Sequence, residues 1–180
     1  MPRTEYVDHP SRVSSGMGHA KSARLIGVGL LVFSLVAILS CSGSETFSGK
    51  CVGVADGDTI TVLKKGKAVR IRLYGIDCPE RGQDFYRAAK TFTSEHAYGK
   101  IVHVAPVDQD AYGRVVAWVS VNGTNLNKEL VAAGLAWWYK RYAPNEKELA
   151  NLEKKARREK VGIWSHPHPV PPWEFRQERH

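Results

Sequence analysis

Cysteine is scarce in this 180-residue chain, and so is acid. Three cysteines allow at most one disulfide, and no Cys/His set with zinc spacing is present. Eighteen acidic residues against 26 basic ones give a formal charge of +8. The first 41 residues carry four basic and two acidic side chains, a net of two, which leaves +6 on the rest. A basic domain favours polyanionic partners, since Lys and Arg displace counterions from phosphates, although charge alone equally describes a soluble protein that happens to be basic. Long low-complexity tracts are also missing, and with 43% hydrophobic residues the chain has material for one globular core plus extensions.

One long apolar run exists. Residues 25–40, LIGVGLLVFSLVAILS, hold 16 residues without a charge, preceded by Lys21 and Arg24 and followed by polar Ser42 to Glu45. Roughly 20 apolar residues span a bilayer comfortably, so the run reads as a signal-peptide core with a basic flank. It ends Ile38-Leu39-Ser40-Cys41, which resembles a bacterial lipobox with Cys41 as the residue to be acylated. An uncleaved single-span anchor and plain secretion are the alternatives; all three place the domain at the cell envelope or outside it. The polar leader, residues 1–24, is long for such a signal, and Met17 would open one of ordinary proportions. With Cys41 acylated, Cys51 and Cys78 remain, either as two free thiols or as a disulfide pair.

Past a Ser/Gly linker at residues 42–46, the pattern changes to short alternating segments, and a domain is expected over residues 47–165. Lys50 to Ala55 and Thr59 to Leu63 read as strands around Asp56-Gly57-Asp58. In Ala68 to Tyr74, Val69, Ile71 and Leu73 alternate with Arg70 and Arg72, so one face is aliphatic and the other carries both arginines. Phe85, Ala88, Ala89 and Phe92 have helical spacing and stop at Gly99; strands follow at Ile101 to Pro106 and Arg114 to Val121. A second helix around Leu126, Leu130 and Ala133 stops at Gly134, and a third covers Pro144 to Lys160. The tail, residues 166–180, is too proline-rich for regular structure. Five strands with about three helices, preceded by a hydrophobic leader helix, make a mainly β chain with α additions. The OB-fold barrel fits that count, and its open face commonly binds oligonucleotides.

Three clusters carry chemistry: DGDTI at 56–60, IRLYGIDCPE at 71–80 and YGR at 112–114. Each alone is modest, since Asp-Gly-Asp is usually a turn, Asp77 and Glu80 could be a solvated loop, and Arg72 one more strand charge. Together they are coherent. Asp58, Asp77 and Glu80 offer hard carboxylate oxygens of the kind Ca²⁺ requires. Arg72 and Arg114 offer planar guanidinium forks that match phosphate oxygens. Metal, carboxylate and paired guanidinium are what phosphodiester hydrolysis needs.

From about Phe47 to Trp164 the chain resembles a staphylococcal nuclease-like (thermonuclease) domain, with DGDT, IRL…GID-x-PE, YGR, NKELVAAGLAW and KVGIW in matching order. The resemblance implies Ca²⁺ ligation by Asp58 and Asp77, with Cys78, where the family more often has Thr or Ala, adding a backbone carbonyl. Glu80 falls on the carboxylate that activates or orients water. Arg72 and Arg114 fall on the phosphate-binding arginines, Asp56 on a supporting acid near the metal, and Tyr112 and Tyr142 on substrate-contacting positions. The implied activity is a Ca²⁺-dependent nuclease that cuts DNA and RNA with little sequence preference, leaving 3′-phosphate ends. The rival is a non-catalytic nuclease-fold module that binds nucleic acid or another anionic polymer at the envelope. The expected partners are DNA and RNA, and a membrane through the leader or acylated Cys41; no protein partner is inferred and a monomer is expected. Trp137 to Tyr142 serves equally as a base-stacking platform or as core packing. His166 and His168 have HxH spacing but sit among prolines, and Lys154 to Lys160 reads as a solvated basic helix face.

Overall fold

Alternating side chains need a two-sided sheet, and here they close one on itself. The computed structural model describes residues 45–178; the leader and Cys41 lie outside them. β1 (Phe47–Asp56) and β2 (Thr59–Lys64) are joined by Gly57 and Asp58, and β3 (Lys67–Leu73) follows a tight turn at Lys65 and Gly66 with φ of 50° and 79°. Such positive angles match the twist of a two-residue hairpin. Next come β4 (Ile76–Asp77), α1 (Tyr86–Ala97), β5 (Ile101–Gln109) and β6 (Val115–Val121). Asn122-Gly123 makes the second tight hairpin, into β7 (Thr124–Asn125). The remainder is helical apart from β8 (Trp137–Trp138): α2 (Leu126–Ala132), α3 (Lys147–Glu159), a 3₁₀ turn (Gly162–Ser165) and α4 (Pro172–Glu178).

The strands run β3-β2-β1-β5-β6 as antiparallel neighbours, and β3 pairs in parallel with β6 to shut the ring. The result is the expected five-stranded OB-fold barrel. Register breaks in β1 and β5 supply the bends that closure demands. Inside lie Ile60, Val62, Ile71, Leu73, Val102, Val104 and Val119, all essentially inaccessible to solvent. Each contributes about 2 kcal/mol relative to exposure. α1 lays Ala89, Thr93 and Ala97 on the barrel, while α2 docks through Leu126, Leu130 and Val131. Cys51 and Cys78 are buried and both free.

The tail departs from expectation. Its prolines do not prevent a fourth helix, because Pro172 takes the first helical position, where its missing N–H is not needed. The Pro171 carbonyl accepts from Glu174 and Phe175 N–H at 3.0 and 3.1 Å, which starts α4.

Candidate active site

The Asp56-Gly57-Asp58 link is fixed before any ligand arrives. A side chain at Gly57 would stand 2.8 Å from both the Cys78 Sγ and the Ala89 Cβ, so only glycine lets α1 and the 78 loop close over it. The buried Thr93 hydroxyl donates to the Gly57 carbonyl at 2.5 Å. Asp58 is then held by its backbone and its side chain: its carbonyl accepts from Leu73 N–H at 2.8 Å, and Oδ2 accepts from Cys78 N–H at 2.6 Å. Asp56 Oδ1 in turn accepts from Asp58 N–H at 3.3 Å.

Asp77 is placed by a different device. β4 pairs with β8, setting Asp77 opposite Trp137 and Ile76 opposite Trp138. Arg72 projects from β3 between the two aspartates, with Nη1 3.2 Å from Asp58 Oδ2 and Nη2 2.8 Å from Asp77 Oδ1; Nη1 also donates to the Leu73 carbonyl at 3.0 Å. Glu80 stands at the rim, its side chain 39% exposed. Its N–H donates to Gln83 Oε1 at 2.8 Å.

Arg114 reaches the same face by register. Arg72 pairs with Val116 across the parallel β3–β6 contact, and two residues back along the strand direction restores the same side. Its ion pair is with Asp110, Nε to Oδ2 at 2.6 Å, rather than with the carboxylate cluster. Asp110 Oδ1 also accepts from the Tyr112 and Arg114 N–H groups at 3.0 and 2.9 Å, which shapes the whole turn. Slight burial opposes the Asp110 charge, but these Arg114 and Tyr112 contacts hold its carboxyl below the usual range. Tyr112 is exposed, with the Arg114 guanidinium 5.5 Å from its ring centre. Tyr142 is exposed against Tyr139.

The Trp137 to Tyr142 stretch both packs into the domain and faces a cleft. Trp137 is buried against Trp164, at 4.3 Å between ring centres. Trp137, Trp138, Tyr139, Lys140 and Arg141 line an open cleft of about 810 Å³ together with Arg157 and Trp173. His166 pairs with Asp84 at 3.2 Å instead of with His168.

One site residue carries no sequence signal. Arg176, from α4, donates through Nη2 to Asp77 Oδ2 at 2.8 Å and through Nη1 to Glu80 Oε1 at 2.5 Å and Asp77 Oδ1 at 3.3 Å. A lone arginine in WEFRQ has no motif to betray it. Burial works against its charge, and the bonds to Asp77 and Glu80 more than offset that, so its pKa is raised.

The cluster is short of positive charge. Asp56, Asp58, Asp77 and Glu80 face two guanidiniums, Arg72 and Arg176. Burial pushes Asp58 up to about 7; Arg72 opposes the shift, and the neighbouring Asp56 and Asp77 add to it. Asp77 is raised as well, by burial first, against the pull of Arg72 and Arg176. Among the described residues no three acid, His or Cys side chains converge on one point as they lie. The donor set nevertheless fits a hard divalent cation, being all carboxylate oxygen with an uncompensated negative balance. Asp58 and Asp77 are the groups that would hold it.

The open face of an OB barrel commonly binds oligonucleotides or oligosaccharides, and an arginine held among buried acids is a group that can meet a phosphate oxygen. The comparisons narrow that class. A family model, Staphylococcal nuclease homologue, matches residues 70–166, and the chain belongs to that family. It is 42% identical over 132 residues to an "Uncharacterized endonuclease" of Escherichia coli, covering 73% of this chain and 86% of that protein. It is 34% identical over 154 residues to a "Micrococcal nuclease" of Shigella flexneri, covering 80% and 88% of the two chains. A "Staphylococcal-like nuclease CAN1" of Arabidopsis thaliana is 36% identical over 113 residues, 63% of this chain and 35% of that protein.

Proposed function

We propose that this chain is a Ca²⁺-dependent nuclease that hydrolyses phosphodiester bonds of DNA and RNA with little sequence preference. The observation that carries the reading is Arg72, held between two buried aspartates with Glu80 at the rim. Arg72 is held by three contacts, so its guanidinium is oriented before a phosphate arrives. Arg114, steadied by Asp110, offers a second fork from the residue just before β6. Glu80, the most exposed of the three acids, is the one able to orient water against phosphorus and take its proton. Held by Asp58, Asp77 and the Cys78 carbonyl, Ca²⁺ would act as a Lewis acid on a phosphate oxygen. All three of these relatives are named as nucleases or endonucleases, in agreement with this chemistry.

Plasmid DNA and single-stranded RNA incubated with the protein should both be cut in Ca²⁺ and spared in chelator. Tight binding of intact polymer without cleavage under either condition would replace the enzyme by a non-catalytic nucleic-acid-binding module. We also propose export and tethering through acylated Cys41, supported by the 16-residue apolar run and Ile38-Leu39-Ser40-Cys41. Mass spectrometry of membrane-extracted protein should then find diacylglyceryl cysteine at Cys41, whereas an intact leader would mean a single-span anchor.

A further inference from the structure

The catalytic acids are occupied from within the chain. Beyond the matched family region, which ends at residue 166, the tail runs back over the site and touches it at several places. The Val170 carbonyl accepts from Gln83 Nε2 at 2.9 Å, and Gln83 is the residue whose Oε1 holds the Glu80 N–H. Trp173 stacks on Tyr139 at 5.2 Å and 6° between planes, and meets Trp137 edge-on at 5.7 Å. Arg176 then bridges Asp77 and Glu80. Trp137 lies in β8, the strand that positions Asp77, and Tyr139 directly follows that strand. Thus one short helix grips both the acid read as a metal ligand and the acid read as the water-orienting group.

We propose that α4 is an autoinhibitory latch: the Arg176 guanidinium stands in for the divalent cation at Asp77 and holds Glu80 at the same time, so that metal and α4 compete for Asp77. The proposal rests on the reading of Asp58 and Asp77 as the metal ligands. A guanidinium satisfies these acids with two or three hydrogen bonds and one charge, whereas a divalent ion brings two charges to a cluster that is short of them. The Arg176 guanidinium lies on both oxygens of Asp77 and on Glu80, so a second cation arriving at Asp77 meets a like charge already docked there. Metal entry therefore frees Glu80 to orient water and releases Trp173 from Tyr139, which widens the aromatic cleft beside the site. Without metal the latch keeps Glu80 paired and the enzyme idle. Metal sensitivity is then set partly by how well α4 docks, through residues that touch no metal.

Calcium titration of the full chain by calorimetry, with amide hydrogen exchange of residues 172–178, tests this. Arg176→Gln should raise the apparent Ca²⁺ affinity about tenfold, a coupling of ordinary size for two ligands competing for one state. Removing a nearby positive charge would help calcium in any case, so Trp173→Ala is the sharper variant. It changes no charge, and by loosening α4 it should also tighten calcium binding several-fold. In the unaltered chain, saturating Ca²⁺ should speed exchange across 172–178. Calcium binding that Asp77→Asn weakens but that neither Arg176→Gln nor Trp173→Ala strengthens would overturn the latch and leave the metal site standing. No calcium binding in any variant would overturn both.

Discussion

Asp58 is the residue on which the site's electrostatics turn. Its carboxyl is buried at 6% exposure beside Asp56 and Asp77, and Arg72 does not compensate fully, so its pKa rises to about 7. An acid raised on folding loses its proton first in the unfolded chain. Its destabilising effect is therefore absent below the unfolded value near 4, grows as pH rises towards 7, and is complete above it. In chelator, Asp58→Asn should melt higher than the parent protein at about pH 8 and show a shallower loss of stability between about pH 4 and 7. Thermal melts across that range check this; a variant less stable at the alkaline end would mean that Arg72 already balances the cluster. Asp110 shows why side-chain roles are only partly legible in sequence. Asp58, Asp77, Arg72 and Glu80 stand in short motifs whose spacing already brings them near the strand ends. Asp110, which steadies Arg114 from four residues away, reads beforehand as ordinary loop acid.

At the scale of elements, the barrel was readable because one face of each strand is aliphatic, and period two survives along β2, β3 and β6. Placement of the first three helices was readable from spacing and from the glycines that follow them. Gly134 shows what such a stop does beyond ending a helix. It takes φ of 64°, and an added side chain would meet the Val161 carbonyl at 2.3 Å, because the GLAW and KVGIW segments touch there through Ile163 N–H to the Gly134 carbonyl at 2.8 Å. What sequence could not reveal is which polar residue bolts a helix to the sheet. Asn127 lies fully buried on α2, donates to the Tyr74 and Ala117 carbonyls at 2.9 and 3.2 Å, and accepts from Val119 N–H at 3.1 Å. Asn127→Ala leaves the Tyr74 carbonyl and the Val119 N–H without this partner, at a cost of about 3 kcal/mol. Urea unfolding should show that loss with an unchanged slope. The fourth helix escaped sequence reading for a physical reason as well: four prolines in six residues, at 167, 169, 171 and 172, suggest a breaker, yet the last of them occupies the one helical position that proline favours.

Over the whole molecule, a chain with +6 beyond its leader surrounds a cluster of acids, and the two facts serve one purpose. On the proposed function, the basic charge favours a polyanion, while the acids at the barrel mouth would hold the cation that acts on a bound phosphate. The central claim is that Glu80 performs the chemistry at this site while Asp58, Asp77 and the arginines bind. Single-turnover cleavage of DNA at saturating Ca²⁺, with nucleotide binding measured on the same samples, addresses it directly in Glu80→Gln. Binding should stay within about twofold of the parent and cleavage should slow by at least about a hundredfold, the usual contribution of a positioned base. Cleavage by Glu80→Gln at the parent rate would contradict the account.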